Sequence, residues 1–140
     1  MIEERLLTTP PSGSMPLRSE HDIVMCRQTV RVLTQGLNFS LVEQTKMITA
    51  ASELSRNALI HGGGGEMRWQ SLSQGPRQGL RLWFEDQGPG IPDVELAQRD
   101  GWTSGGGLGI GLPGSRRLVN EFELQTVVGQ GTCVTITRWK

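Results

Sequence analysis

The chain has two cysteines, two lysines, no surplus of either charge and no apolar run near the length of a membrane span, and each shortage removes a class of function. Cys26 and Cys133 stand far apart without a C-x-x-C pairing, and His21 and His61 do not group with them at metal-ligand spacing. Reduced thiols and no zinc site are therefore expected. Fourteen basic residues balance fourteen acidic ones, which leaves no net field to draw nucleic acid or an anionic membrane unspecifically. A small ligand or a protein partner fits that balance better. Apolar runs fall short of the roughly 20 residues that span a bilayer, and the first residues lack the basic and apolar regions of a signal peptide, so the expected location is the cytoplasm. With lysine only at 46 and 140, the chain has no Gly-Lys-Ser/Thr sequence and no Walker loop.

Glycine, by contrast, is abundant, with 19 residues concentrated at 62–65, 88–90 and 105–114. Clustered glycines mark tight turns or backbone that something must approach closely. The length, 140 residues, suits one domain with a real core. Residues 1–14, with paired prolines and small polar groups, predict a loosely held arm before a single domain at 15–140. Met15 to Ser19 reads as an edge strand, since Pro16 lacks a donor. Ser19 precedes a helix that ends at Gly36, and Ser40 with Glu43 forms a capping-box pattern for a second helix from Leu41 to about His61. Glu66–Ser73 and Leu80–Asp86 alternate as strands joined by the hairpin stretch "QGPRQG"; residues 92–106 lack periodicity and read as a mobile loop. "LPGSRRLVNEF" predicts a short helix, followed by strands Glu123–Val128 and Thr132–Trp139 around the turn "GQG". This order suits a two-layer α+β sandwich better than a parallel α/β sheet.

Three stretches carry possible chemistry. Leu80, Leu82, Phe84 and Asp86 have period-two spacing, which puts the carboxylate on the buried face of its strand. A charge there needs a partner, from the protein or from a ligand. In the second helix Glu53, Asn57 and His61 recur every four residues, along one side. Such a stripe is a solvated face in most helices, but Ala50, Ala51, Leu54, Ala58 and Leu59 make this helix apolar over much of its circumference, as expected where a stripe borders a cavity. "TSGGGLGIGLPG", Thr103 to Gly114, precedes the third helix and offers bare N–H groups of the kind that bind phosphate; the plain alternative is a flexible linker. Its G-x-G-x-x-G at Gly109, Gly111 and Gly114 lacks the preceding strand of a dinucleotide fold.

Taken together, Glu53-x-x-x-Asn57, "DQGPGI" and "GGGLGIGL" resemble the N, G1 and G2 boxes of the GHKL superfamily of ATP-binding domains, found in gyrase-type topoisomerases, heat-shock chaperones, histidine kinases and MutL-type repair proteins. "ASELSRNALIHG", "DGWTSGGGLGIGLPGSRRLVNEFEL" and "GQGTCVTITRW" are similar to the RsbT-type serine-protein kinases of bacterial stressosome and partner-switching pathways, relatives of the anti-sigma-factor kinases. "NALIHG" itself looks more like the anti-sigma N box. The resemblance implies a mixed sheet covered by helices on one face, with ATP and Mg²⁺ as cofactors. It further implies that Asp86 accepts a hydrogen bond from the adenine amine, with Gly88, Gly90 and Ile91 bringing the backbone against the base. Asn57 would coordinate Mg²⁺, and Glu53 would act as the base or orienting group for the attacking hydroxyl. Gly105, Gly106, Gly107, Leu108, Gly109, Ile110 and Gly111 would supply phosphate-binding N–H groups, and Thr132 would help close the adenine pocket. Arg56 is expected in a surface ion pair. The implied substrate is a serine of a STAS-domain partner, with a PP2C-type phosphatase as a second partner. The alternatives are an anti-sigma factor that sequesters a sigma subunit, and a non-catalytic adaptor controlled by ATP.

Overall fold

Both serines read as helix starts do cap helices. The computed structural model describes residues 12–94 and 111–140. Ser19, in extended backbone, precedes α1 (Glu20–Gly36) and accepts from the Asp22 N–H at 3.2 Å. Ser40 opens α2 (Leu41–Ile60) with both halves of the capping box made: the Glu43 N–H donates to Ser40 Oγ at 3.1 Å, and the Ser40 N–H donates to Glu43 Oε1 at 2.9 Å. The bond from the Ser40 backbone holds the Glu43 carboxyl below its ordinary value. Although α1 ends at Gly36 as expected, the turn itself is made by Asn38, at φ 59°, after which the Phe39 N–H reaches back to the Thr34 carbonyl at 3.0 Å. Asparagine takes this left-handed conformation because its short polar side chain tolerates it.

Five strands, β1 (Ser12–Leu17), β2 (Gly65–Gln74), β3 (Arg77–Asp86), β4 (Glu121–Val127) and β5 (Gly131–Trp139), form a sheet in the order β1-β2-β3-β5-β4, and α3 (Gly111–Arg117) precedes β4. Every neighbouring pair is antiparallel, which corrects the expected mixed sheet. β3 and β4 do run parallel, but β5 returns by a tight hairpin and inserts between them, so the parallel strands never pair. β1 is an edge strand containing Pro16, as anticipated. It starts at Ser12, inside the stretch read as an arm, and ends before Ser19. The β2–β3 connection turns through Gly75 at φ 60°. α3 is shorter than expected: it stops at Arg117, and Phe122 belongs to β4.

The helices cover one face of the sheet. Leu80, Leu82 and Phe84 are buried there with Met67, Val134 and Ile136, beneath Met47, Ala50, Ala51, Leu54 and Ala58 of α2. Alanine at these helix positions allows α2 to lie close on the sheet, while Cys26, Val30 and Leu33 of α1 complete the same core. Both cysteines are free. Cys26 Sγ lies 3.4 Å from Met67 Sδ, and burial pushes its thiol up to about 12.

Candidate active site

One rung of the sheet runs through Leu17, Gly65, Asp86, Thr132 and Thr126, one residue from each strand. Asp86 continues the period of Leu80, Leu82 and Phe84 and so faces the helices, as the sequence indicates, but it lies where the sheet ends and the C-terminal turn of α2 passes over it. Between them lies a cavity of about 340 Å³. Asn57, Asp86, Gly90, Ile91 and Thr132 all line it, so residues separated by most of the chain are gathered at one opening. Apolar walls come from Leu54, Phe84, Leu112 and Val134.

Burial lifts the Asp86 carboxyl above its ordinary value, while the N–H groups of Gly88 and Thr132 and the charge of His61 act against the rise. The Gly88 N–H donates to Asp86 Oδ1 at 2.9 Å. Asp86 is thus half-buried, oriented by backbone donors, and open to the cavity with its remaining lone pairs. Two glycines make this geometry possible. A Cβ on Gly62 would overlap the Asp86 carboxyl, and one on Gly88 would fall 2.6 Å from the Gly62 Cα, so helix end and loop interlock only without side chains. Gly88 does not line the cavity itself; its contribution is that interlock and the bond to Asp86.

The loop after β3 is tied to the β4–β5 hairpin. The Gly129 N–H donates to the Pro89 carbonyl at 2.8 Å, and the Ile91 N–H donates to Thr126 Oγ1 at 2.9 Å. Glu53 stands one turn before Asn57, about 6 Å along the helix axis, half-buried and outside the cavity wall. Gly111 opens α3, buried, with φ 68°. Gly105, Gly106, Gly107, Leu108, Gly109 and Ile110, together with most of the stretch read as a loop, lie outside the described residues. Arg56 makes the expected ion pair, with Glu20 at 3.5 Å. His61, Gly62 and Thr126 had no assigned role. His61 completes the helix stripe, Gly62 begins the first glycine cluster, and Thr126 is the cross-strand partner of Thr132. Among the described residues, no three His, Cys, Asp or Glu side chains gather into a cation site, whereas Asn57 turns a neutral amide into the cavity.

Residues 42–140 match the family of histidine kinase-, DNA gyrase B- and HSP90-like ATPases. Serine/threonine-protein kinase RsbT of Bacillus subtilis (strain 168) is 42% identical over 123 residues, which span 88% of this chain and 92% of that protein. The chain belongs to this ATPase family, among its RsbT-type serine/threonine-protein kinases. Anti-sigma F factor of Geobacillus kaustophilus (strain HTA426) is 30% identical to this chain over 126 residues, which span 86% of each. Two solved structures share the kinase's fold at low identity. The RsbU and RsbW domains of a Mycobacterium tuberculosis protein superpose with a TM-score of 0.61 and 18% identity, covering 91% of this chain and 32% of that one. A histidine kinase domain of a blue-light activated kinase from Erythrobacter litoralis gives 0.50 and 20%, covering 89% and 61%. ATP is the nucleotide of this family. None of the described helices is long and apolar enough to cross a membrane.

Proposed function

We propose that this RsbT-type kinase transfers the γ-phosphate of ATP to a serine hydroxyl of a separate STAS-domain protein, and that it controls a PP2C-type phosphatase by binding it. The observation that carries the reading is Asp86, a desolvated carboxylate held by backbone donors at the floor of an apolar cavity. Adenine suits that floor: its exocyclic amine donates to Asp86 while its ring fills the space beside Ile91, Phe84 and Val134. Gly90 lets the backbone approach the base, Gly88 holds Asp86 in place through its N–H, and Thr132 closes the pocket from β5.

Asn57 fits a Mg²⁺ ion that keeps few protein ligands and is otherwise held by phosphate and water, the usual arrangement for this metal. When bound, Mg²⁺ neutralises charge on the phosphates. Glu53, on the same stripe and one turn nearer the helix N-terminus, accepts the proton of the incoming serine hydroxyl, whose oxygen then bonds to the γ-phosphorus as the bond to the bridging oxygen of ADP breaks. The N–H groups of Gly105 to Gly111 complete the reading by holding the triphosphate.

Glu53→Ala separates this kinase from an adaptor with the same pocket. The variant keeps ATP and partner binding and slows transfer to a STAS serine by roughly a hundredfold or more, the scale of losing a positioned general base. Radiolabelled ATP with the purified protein and a STAS partner measures it. Transfer by Glu53→Ala at the wild-type rate sinks the base assignment, and no transfer by the wild type favours the ATP-controlled adaptor. The 30% identity to Anti-sigma F factor supports a second reading, sequestration of a sigma subunit; it predicts a stable complex with a sigma factor, which the RsbT-type reading does not.

A further inference from the structure

Thr126 does not line this cavity, yet two residues that do, Ile91 and Thr132, converge on its hydroxyl together with the Gly131 carbonyl. The Ile91 N–H donates to it at 2.9 Å, the Gly131 carbonyl lies at 3.2 Å, and Thr132 Oγ1 lies at 2.9 Å. A hydroxyl has one proton to give and two lone pairs to accept with. A carbonyl oxygen only accepts and an N–H only donates, so one arrangement satisfies all three: Thr126 donates to Gly131 and accepts from Ile91 and from the Thr132 hydroxyl. The Thr132 proton is then spent behind the wall, and Thr132 turns only lone pairs toward the cavity. Asp86, its neighbour across β3 and β5, is also an acceptor when ionised.

We propose that Thr126 is a positioning residue that sets the hydrogen-bond polarity of this wall while clamping the loop through Ile91. A wall of acceptors admits a ring edge that donates, such as a 6-amino purine, and repels one that carries a 6-oxo group. The clamp stands on the protein alone; the consequence for nucleotide choice rests on the ATP reading above.

Thr126→Val removes the hydroxyl and keeps the branched shape, and Thr126→Ser keeps the hydroxyl. In ligand-free protein, exchange of the Ile91 amide followed by NMR speeds up by roughly tenfold in Thr126→Val and stays near the wild-type rate in Thr126→Ser, because only the former loses the acceptor. In Thr126→Val the Thr132 proton is free to point into the cavity, so the preference for ATP over inosine triphosphate, measured by calorimetry, falls by roughly fivefold, the scale of one hydrogen bond, and Thr126→Ser restores it. A merely structural role lowers melting temperature without moving that ratio. An unchanged Ile91 exchange rate in Thr126→Val overturns the clamp. ATP binding with an unchanged ratio overturns the polarity role alone, while a wild type that binds neither nucleotide overturns the ATP reading and the nucleotide choice derived from it, leaving the clamp to the exchange result.

Discussion

The two faces of β3 treat charge in opposite ways. On the outer face Arg81 donates from Nε to Thr137 Oγ1 at 2.8 Å and pairs with Glu121 at 3.3 Å, Glu121 accepts from Trp139 Nε1 at 2.9 Å, and Arg68 stacks 5.0 Å from the Trp83 ring while facing Glu85 at 3.8 Å. The charged side chains among these are partly in water and partnered by their neighbours. On the inner face the strand is apolar from Leu80 to Phe84 and then reaches Asp86, whose carboxyl is desolvated and held mainly by backbone N–H groups. A protein arranges charge in the first way to stay folded and soluble. The second way costs stability and persists where a ligand completes the site.

The largest effect expected from breaking this contrast lies in the apolar part of the inner face. Leu82 is fully buried between α2 and the sheet. Leu82→Ala lowers stability by about 2–5 kcal/mol, the range for emptying a core leucine site, as read from urea unfolding. A loss below about 1 kcal/mol would mean that the helix layer does not seal the sheet.

Asp86→Asn comes next, and its effect falls on binding instead of folding. ATP affinity drops by about 1 kcal/mol or more, since a charged acceptor for the base amine becomes a neutral one. The pH dependence follows from the same group. Its folded-state value is raised, so its own contribution to stability is present below the unfolded value and lost as pH rises through the folded one. Ligand-free Asp86→Asn therefore melts no lower than the wild type at neutral pH. Nucleotide binding has the opposite sign: it needs the carboxylate and weakens as pH falls through the raised value, at a higher pH than an ordinary aspartate would give. Calorimetric titrations at several pH values, with the variant as control, check both statements.

The smallest effect belongs to the outer face. Glu121→Gln keeps the shape beside Arg81 and Trp139 and removes one half-exposed charge, so it costs less than about 1 kcal/mol and leaves ATP affinity unchanged. A larger loss in denaturant unfolding would show that the paired outer face contributes to the fold as strongly as the core does.

Much of this was legible in residue order because it depends on neighbours in the chain. Capping at Ser19 and Ser40, the stop at the glycines after His61, the period of Leu80 to Asp86 and both hairpins are local matters of backbone preference and alternation. The stripe of Asn57 and His61 was readable too, since helical spacing alone puts them on one side. The strand pairings were not. An antiparallel sheet in place of a mixed one depends on β5 inserting between β3 and β4, which no local pattern encodes, and the turn at Asn38 depends on where Phe39 finds its core site.

The sequence alone determined that a carboxylate would sit at the end of a buried strand and that glycines would let backbone come close to something. Only the tertiary structure decided that Gly62 and Gly88 meet face to face under Asp86, and that Thr126 and Thr132 stand beside it on the same rung. Those contacts join positions far apart in the chain. They are fixed by the register of strands and the seating of α2, and register is a property of packed pairs, not of any one segment.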